Sequence, residues 1–347
     1  MKQKPYTDGA PPTARSHFRY AQATVWVIFL GALALLAWQL SNVLLLLFGA
    51  IIVAVALRGF AAPFHRHLGL SPRWAVVATT LILLALIGLG VWLAGDRLAQ
   101  QTANLRERVP DALNAAVAWA RSHPIGVAVL DLWDSATADD VPWSRVAIAA
   151  TQTLSALGSV GLVAVVGLYL ATDPQLYRTG LVRLMPPHHR ERIEEALLAS
   201  GQALSSWLLG QGMSMLFVGT ATALGLWLLG IPLALTIGAI AAVLAFIPFF
   251  GPIASGILAV LIAFMEGPTQ ALYVAGLCVV IQQIEGNLLM PFVQRWAVEL
   301  PPVLGIMAAV IFGLLFGLAG VILATPLMVV AMVLVQKLYV EGLLEAD

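Results

Sequence analysis

Gln282-Gln283-Ile284-Glu285-Gly286-Asn287, followed by Pro291, concentrates the chain's most reactive side chains in a few residues. A carboxyl can hold a proton or a cation. The amides of Gln282, Gln283 and Asn287 add neutral donors and acceptors. The residues leading in, about 269–284, carry no charge. Glu285 is therefore expected at or inside the inner end of an apolar helix. Ionisable groups at such depth are costly and mark solute or ion pathways. The other reading is a capping carboxylate in a loop at the interface. A second candidate is Ile247-Pro248-Phe249-Phe250-Gly251-Pro252. Pro248 and Pro252 each remove a backbone donor and disfavour continuous helix. Gly251 allows close approach. Backbone groups freed by the break could meet a polar solute, and the two elements are expected to line one pathway.

Other chemistries find no support. There is no HExxH, and Ser255-Gly256 lacks the preceding glycine of an intramembrane serine protease. No phosphate-binding loop is present. His65 and His67, and His188-His189, have no pattern of acids or cysteines around them, so no metal site is expected. Cys278 is the single cysteine and cannot form an intrachain disulfide. The expectation is a protein that is not an enzyme and needs no cofactor.

The elements that must hold these residues follow from the charge pattern. Hydrophobic residues make up 60% of the chain and charged residues 10%, where soluble domains carry about 25% charged. No Asp, Glu, Lys or Arg occurs in Tyr20–Leu57, Trp74–Gly95, Val146–Thr172, Ala196–Met265 or Pro301–Gln336. A spanning helix needs about 20 apolar residues, and a soluble helix would carry a charged outer face. The fold class is therefore all-α and polytopic, in a lipid bilayer. The run 20–57 fits two crossings with a turn at Gln39, Ser41 and Asn42, and 74–95 fits one. Trp74 with Trp92, and Trp207 with Trp227, are placed to meet the two interfacial aromatic belts.

Three regions result. Residues 1–95 form a tail and three spans. Residues 96–145 form an extracytoplasmic amphipathic helical section, where Leu98, Thr102, Leu105 and Val109 recur at helical spacing. Residues 146–347 form the core. The section 96–145 is expected to pack on the spans, or to act as a lid or collar. Its stretch 131–143 reads as an acidic, solvated loop. After Thr172–Arg192, a helix with Ile193, Leu197, Ser200, Leu204 and Trp207 on one face is expected to follow the membrane surface and then turn inward.

The two long C-terminal runs are interrupted: one at Pro248–Pro252, the other at Gly313, Gly317, Gly320 and Thr325-Pro326. Such interrupted pairs point to broken helices around a transport site, or to simple turns between full spans. Gly313 and Gly317 form a GxxxG pair suited to close helix packing, and self-association into a homo-oligomer is expected.

Lys2, Lys4, Arg15 and Arg19, then Arg58, Arg66 and Arg73, then Arg178, Arg183, Arg190 and Arg192 fall on one side if the spans between them cross once each. That side, with both termini, is expected to be cytoplasmic. Net charge is zero, so nucleic acid is not an expected partner.

From about Gly161 to Leu338 the chain resembles the AI-2E family of transporters, named for export of the quorum signal autoinducer-2. The resemblance rests on an ordered set. Leu184-Met185-Pro186-Pro187 with His189-Arg190-Glu191-Arg192 looks like the family's cytoplasmic segment, and Trp207-Leu208-Leu209-Gly210-Gln211 like its glycine–glutamine signature. Ile247–Pro252 matches its IPxxGP element, and Gln283–Asn287 with Pro291 its QxEGN element. Pro302, Gly313, Phe316-Gly317 and Pro326 fit the closing run. The N-terminal half shares layout only. The resemblance implies a multi-helix protein of the bacterial inner membrane with about eight spans, and adds Gln211 to the candidate pathway.

Three functions follow as expectations. The first is a secondary transporter exporting a small, largely neutral polar solute such as an autoinducer-2-like signal. The spans hold almost no counter-charge for an ionic solute. The second is a sodium or other cation/proton antiporter, for which Glu285 is the candidate titratable group. The third is a membrane scaffold that transports nothing.

Overall fold

The computed structural model describes residues 35–36, 39–122, 127, 153–289 and 301–344. The N-terminal tail, most of the first expected span, the stretch 131–143, the boundary at 145/146, Pro291 and the last three residues lie outside the described residues. The chain divides into two units, Met1–Leu47 and Phe48–Asp347. The first contributes the start of the helix Ser41–Leu68; all packing described below lies within the second.

Every described element is helical. In order they are α1 (Ser41–Leu68), α2 (Pro72–Arg121), α3 (Thr153–Thr172), α4 (Pro174–Arg183), α5 (Arg190–Leu228), α6 (Ala234–Leu244), α7 (Phe250–Phe264), α8 (Pro268–Ile284) and α9 (Pro302–Val335). π-helical turns follow α8 (Glu285–Leu289) and α9 (Gln336–Leu344). Large apolar side chains point outward on many of them: Leu81, Leu84, Leu314 and Leu318 are all more than half exposed. Alanine dominates the buried set, with Ala171, Ala196, Ala259, Ala263 and Ala324 fully enclosed. Small residues inside and apolar bulk outside suit a bundle solvated by lipid, where close backbone packing holds helices together.

Four helical stretches are long and apolar enough to cross a membrane, Ser41–Leu68, Pro187–Leu228, Pro268–Leu289 and Val303–Glu341. They become five if Gly158–Thr172 and Pro174–Arg183, bent by 85°, form one broken span. The eight crossings expected from the sequence are not reached among the described residues, which also hold three shorter apolar stretches, Pro72–Leu86, Ala234–Leu244 and Phe250–Phe264.

Two helices run on past the points at which the sequence pattern changes. α2 starts after Ser71 with Pro72 at its first position, as the sequence implies, and then continues through Gly95 to Arg121 without a break. Its C-terminal part packs on the α6–α7 pair. Ala112 is fully buried, Val109 joins the core of Leu226, Ile237, Ile262 and Val274, and the Trp119 ring meets Phe264 edge-on at 5.5 Å. Thr236 Oγ1 donates to Gln101 Oε1. The described part of 96–145 thus packs on the hairpin. α5 is likewise one unbroken helix of 39 residues, about 58 Å long at 1.5 Å per residue. No break marks the point at which this helix is expected to turn inward. Trp207 packs edge-on against Phe246 at 5.7 Å, whereas Trp74, Trp92 and Trp227 are all more than two-thirds exposed.

Both long C-terminal runs fold back as hairpins. On a continuous helix Ala308 and Ala324 would stand about 24 Å apart; instead they share one buried cluster with Phe312, Val321 and Met328. The turn is Gly317, at φ 63° and ψ −145°, a region essentially restricted to glycine. A Cβ on Gly320 would lie 1.9 Å from the Phe312 carbonyl oxygen, and one on Gly313 would lie 2.8 Å from Val321 Cγ2. The close packing at Gly313 is thus between two arms of one chain. Pro326 is buried in the second arm. α6 and α7, with 11 and 15 residues, form the other hairpin. Their lengths of about 16 and 22 Å fall short of the ~30 Å hydrocarbon core.

Candidate functional site

The α6–α7 break is built by its prolines. Phe249 has φ 68° and ψ −50°, and the Phe250 amide donates back to the Pro248 carbonyl at 2.8 Å. Together these form a γ-turn of the rare, strained kind. Such a conformation in a bulky residue costs of order 1–3 kcal/mol and concentrates at functional sites. The turn brings Gly251 against the end of α6. A Cβ there would lie 1.9 Å from the Leu244 carbonyl oxygen, so only glycine fits.

α5 supplies the partner for the carbonyls left open at the end of α6. Gln211 is buried, and its Nε2 donates to the Ala245 carbonyl oxygen at 2.5 Å. One helical turn on, Ser214 is fully enclosed, and its Oγ donates to Oε1 of Glu285. Glu285 is 8% exposed. It opens the π-helical turn after α8, a local widening often found at functional sites. Val218 and Thr222 continue the same face of α5, since steps of three and four residues stay on one side of a helix. Gly219 lets α6 approach: a Cβ there would lie 2.5 Å from Ala242 Cβ, and the reciprocal contact holds for Gly238 with Ala223.

One turn further along α5 from Ser214, a crevice is lined by Val218 and Thr222 of α5, Pro252, Ser255 and Gly256 of α7, and Cys278, Ile281 and Gln282 of α8; neither Ser214 nor Glu285 lines it. Its free volume is about 10 Å³, near the minimum for one water molecule. Ser255 turns its hydroxyl to the Pro252 carbonyl at 3.2 Å. In this state the crevice has room for a proton or a water, and none for a solute of several carbons.

The structure thus brings together Gln211, Gly251, Pro252, Gln282 and Glu285, with Pro248 in the turn behind them. Gln283, Gly286 and Asn287 are exposed on the far side of the π-helical turn. Pro291 lies outside the described residues. Ser214, Thr222 and Ser255 were not anticipated. Their signal was the spacing Gln211, Ser214, Thr222 on one face of the charge-free part of α5, which requires knowing that this face is buried.

A model of the AI-2E family of transporters matches residues 24–339. The chain belongs to the AI-2E transporter family. The match extends well beyond the half in which the sequence elements were recognised. Among curated proteins, this AI-2E member is 32% identical to YueF of Bacillus subtilis over 158 residues, 46% of this chain and 43% of that one. YrrI of the same organism is 30% identical over 158 residues, 46% and 45% of the two chains. Both are named as candidate transport proteins. The chain spans less than half the length of these two relatives. PerM of Escherichia coli, named as a candidate permease, is 25% identical over 285 residues, 76% of this chain and 78% of that one. The AI-2E chain is accordingly a multi-pass membrane protein of a transporter family.

Proposed function

We propose that this chain is a secondary transporter of a small polar solute, exported across the bacterial inner membrane, with Glu285 as its coupling site. The observation that carries the proposal is the buried Glu285 carboxyl held by Ser214. It sits where a broken hairpin, a π-helical turn and a line of polar side chains on α5 meet, inside a bundle otherwise nearly free of charge. A buried acid in such surroundings is costly, and its usual justification is function. Gln211 and Gly251 support the break beside it. Thr222, Ser255 and Gln282 offer the solute neutral hydrogen-bonding partners. An autoinducer-2-like signal, compact and rich in hydroxyls, is the class of solute these partners suit.

The crevice favours a second reading, a cation/proton antiporter. Its volume admits one water and an exchangeable proton, and Glu285 is the one buried acid among the described residues. Purified protein in liposomes separates the two. Solute flux without a sodium requirement supports the exporter. Sodium-dependent proton movement without solute supports the antiporter. Neither activity would leave the family's scaffold without a transport role in this member.

A further inference from the structure

The α1–α2 corner carries a cavity that the transport site does not use. It has a volume of about 220 Å³ and is lined by Arg58, His65 and Arg66, by Pro72, and by Ala61 and Val76 at its floor. Ala61 and Val76 are buried, so the floor is apolar and the rim basic. Two of the rim groups are held in place. Arg58 Nη1 donates to the Ala171 carbonyl at 3.0 Å, which leaves its other donors free. His65 Nδ1 donates to the Leu70 carbonyl at 2.6 Å, which leaves Nε2 outward. Arg66 has no ion pair among the described residues. The nearby acid, Asp173, is taken by Arg73 at 2.6 Å and by the Leu176 amide. It does not neutralise the rim.

The level of the cavity is fixed by its neighbours. The charge-free run of α1 ends at Leu57, one residue before Arg58, and that of α2 begins at Trp74. Trp74 is 67% exposed, as suits an aromatic side chain at the membrane–water boundary. A rim of fixed positive charge over an apolar floor at that boundary is complementary to a phosphate with acyl chains below it. Basic pockets between membrane helices bind anionic headgroups in this manner.

We propose that this cavity binds the phosphate of an anionic phospholipid headgroup, with Arg58 and Arg66 contacting the phosphate and Ala61 and Val76 the first acyl carbons. The test is native mass spectrometry of the full-length protein, stripped of lipid and offered equal phosphatidylglycerol and phosphatidylcholine of matched chains. Phosphatidylglycerol should be retained in preference. Arg66→Gln should lower that preference roughly fivefold, and Arg58→Gln with Arg66→Gln should abolish it. Arg183→Gln, on α4, should leave it unchanged. Arg66 is exposed, so its single variant keeps the test valid if the double variant does not fold. Equal retention of the two lipids by the parent protein would overturn the proposal. So would an undiminished preference in Arg66→Gln, or an equal loss in Arg183→Gln. Displacement of phosphatidylglycerol by equimolar inorganic phosphate would assign the cavity to a soluble anion and overturn the lipid.

Discussion

Ser214 and Glu285, 71 residues apart in sequence, share a hydrogen bond that ties α5 to the π-helical turn after α8. Both partners are buried, and Gln211, one helical turn before Ser214, bonds the end of α6 beside the break. A hydroxyl in this position can donate to the carboxyl whether or not a proton is present on its other oxygen. The pair can therefore persist while Glu285 changes its occupant.

Removing the hydroxyl leaves a buried carboxyl short of a donor, a loss of about 1–3 kcal/mol. Ser214→Ala should lower the thermal midpoint of the detergent-solubilised protein and slow transport. An unchanged midpoint together with unchanged flux would show that the bond carries neither role.

Gly251→Ala should be far more harmful than Gly286→Ala. An added methyl at Gly251 lies 1.9 Å from a backbone oxygen, which cannot swing aside, whereas at Gly286 it meets nothing within 4 Å. The first should cost at least the ~1–3 kcal/mol typical of overpacking. Monodisperse yield and thermal midpoint measure both, and equal behaviour of the two variants would contradict the packing at the break.

Gly317→Ala forces a side chain into a conformation that only glycine adopts easily. The expected loss is about 1–3 kcal/mol. A thermal midpoint equal to the parent's would mean that the chain does not turn at Gly317.

These glycines also mark how far the sequence could be read. The Ile247–Pro252 break was legible because two prolines interrupt a charge-free run, and proline forbids the helix directly. In the second run the interruption was legible but its place was not. Gly313, Gly317, Gly320 and Pro326 were all candidates, and only the conformation of Gly317 and the pairing of Ala308 with Ala324 decide among them. Glu285 stood out as an acid directly after a charge-free helix. Ser214 did not, because a serine in a membrane helix ordinarily satisfies itself on its own backbone, as Ser200 does with the Ala196 carbonyl at 2.7 Å. The continuity of α2 past Gly95 was hidden for another reason: hydropathy marks where the membrane ends, and a helix need not end there.

The orientation proposed from the basic residues places both termini in the cytoplasm and Ala118 outside. Ala118 is exposed on the outer part of α2, and the one native cysteine, Cys278, is partly buried. A cysteine at Ala118 should react with an impermeant thiol reagent in intact cells, and one at Ala346 should not. The reverse labelling would invert the orientation.

The most direct test of the central claim is solute and proton flux in liposomes holding Glu285→Gln beside the parent protein. Glutamine keeps the size and can still accept from Ser214, so insertion and thermal midpoint should stay close to parental. Flux should fall to the level of protein-free liposomes, or lose its dependence on the pH gradient. A Glu285→Gln protein that inserts normally and transports at the parental rate, with the parental response to pH, would place the coupling site elsewhere and leave Ser214 and Glu285 as a structural pair.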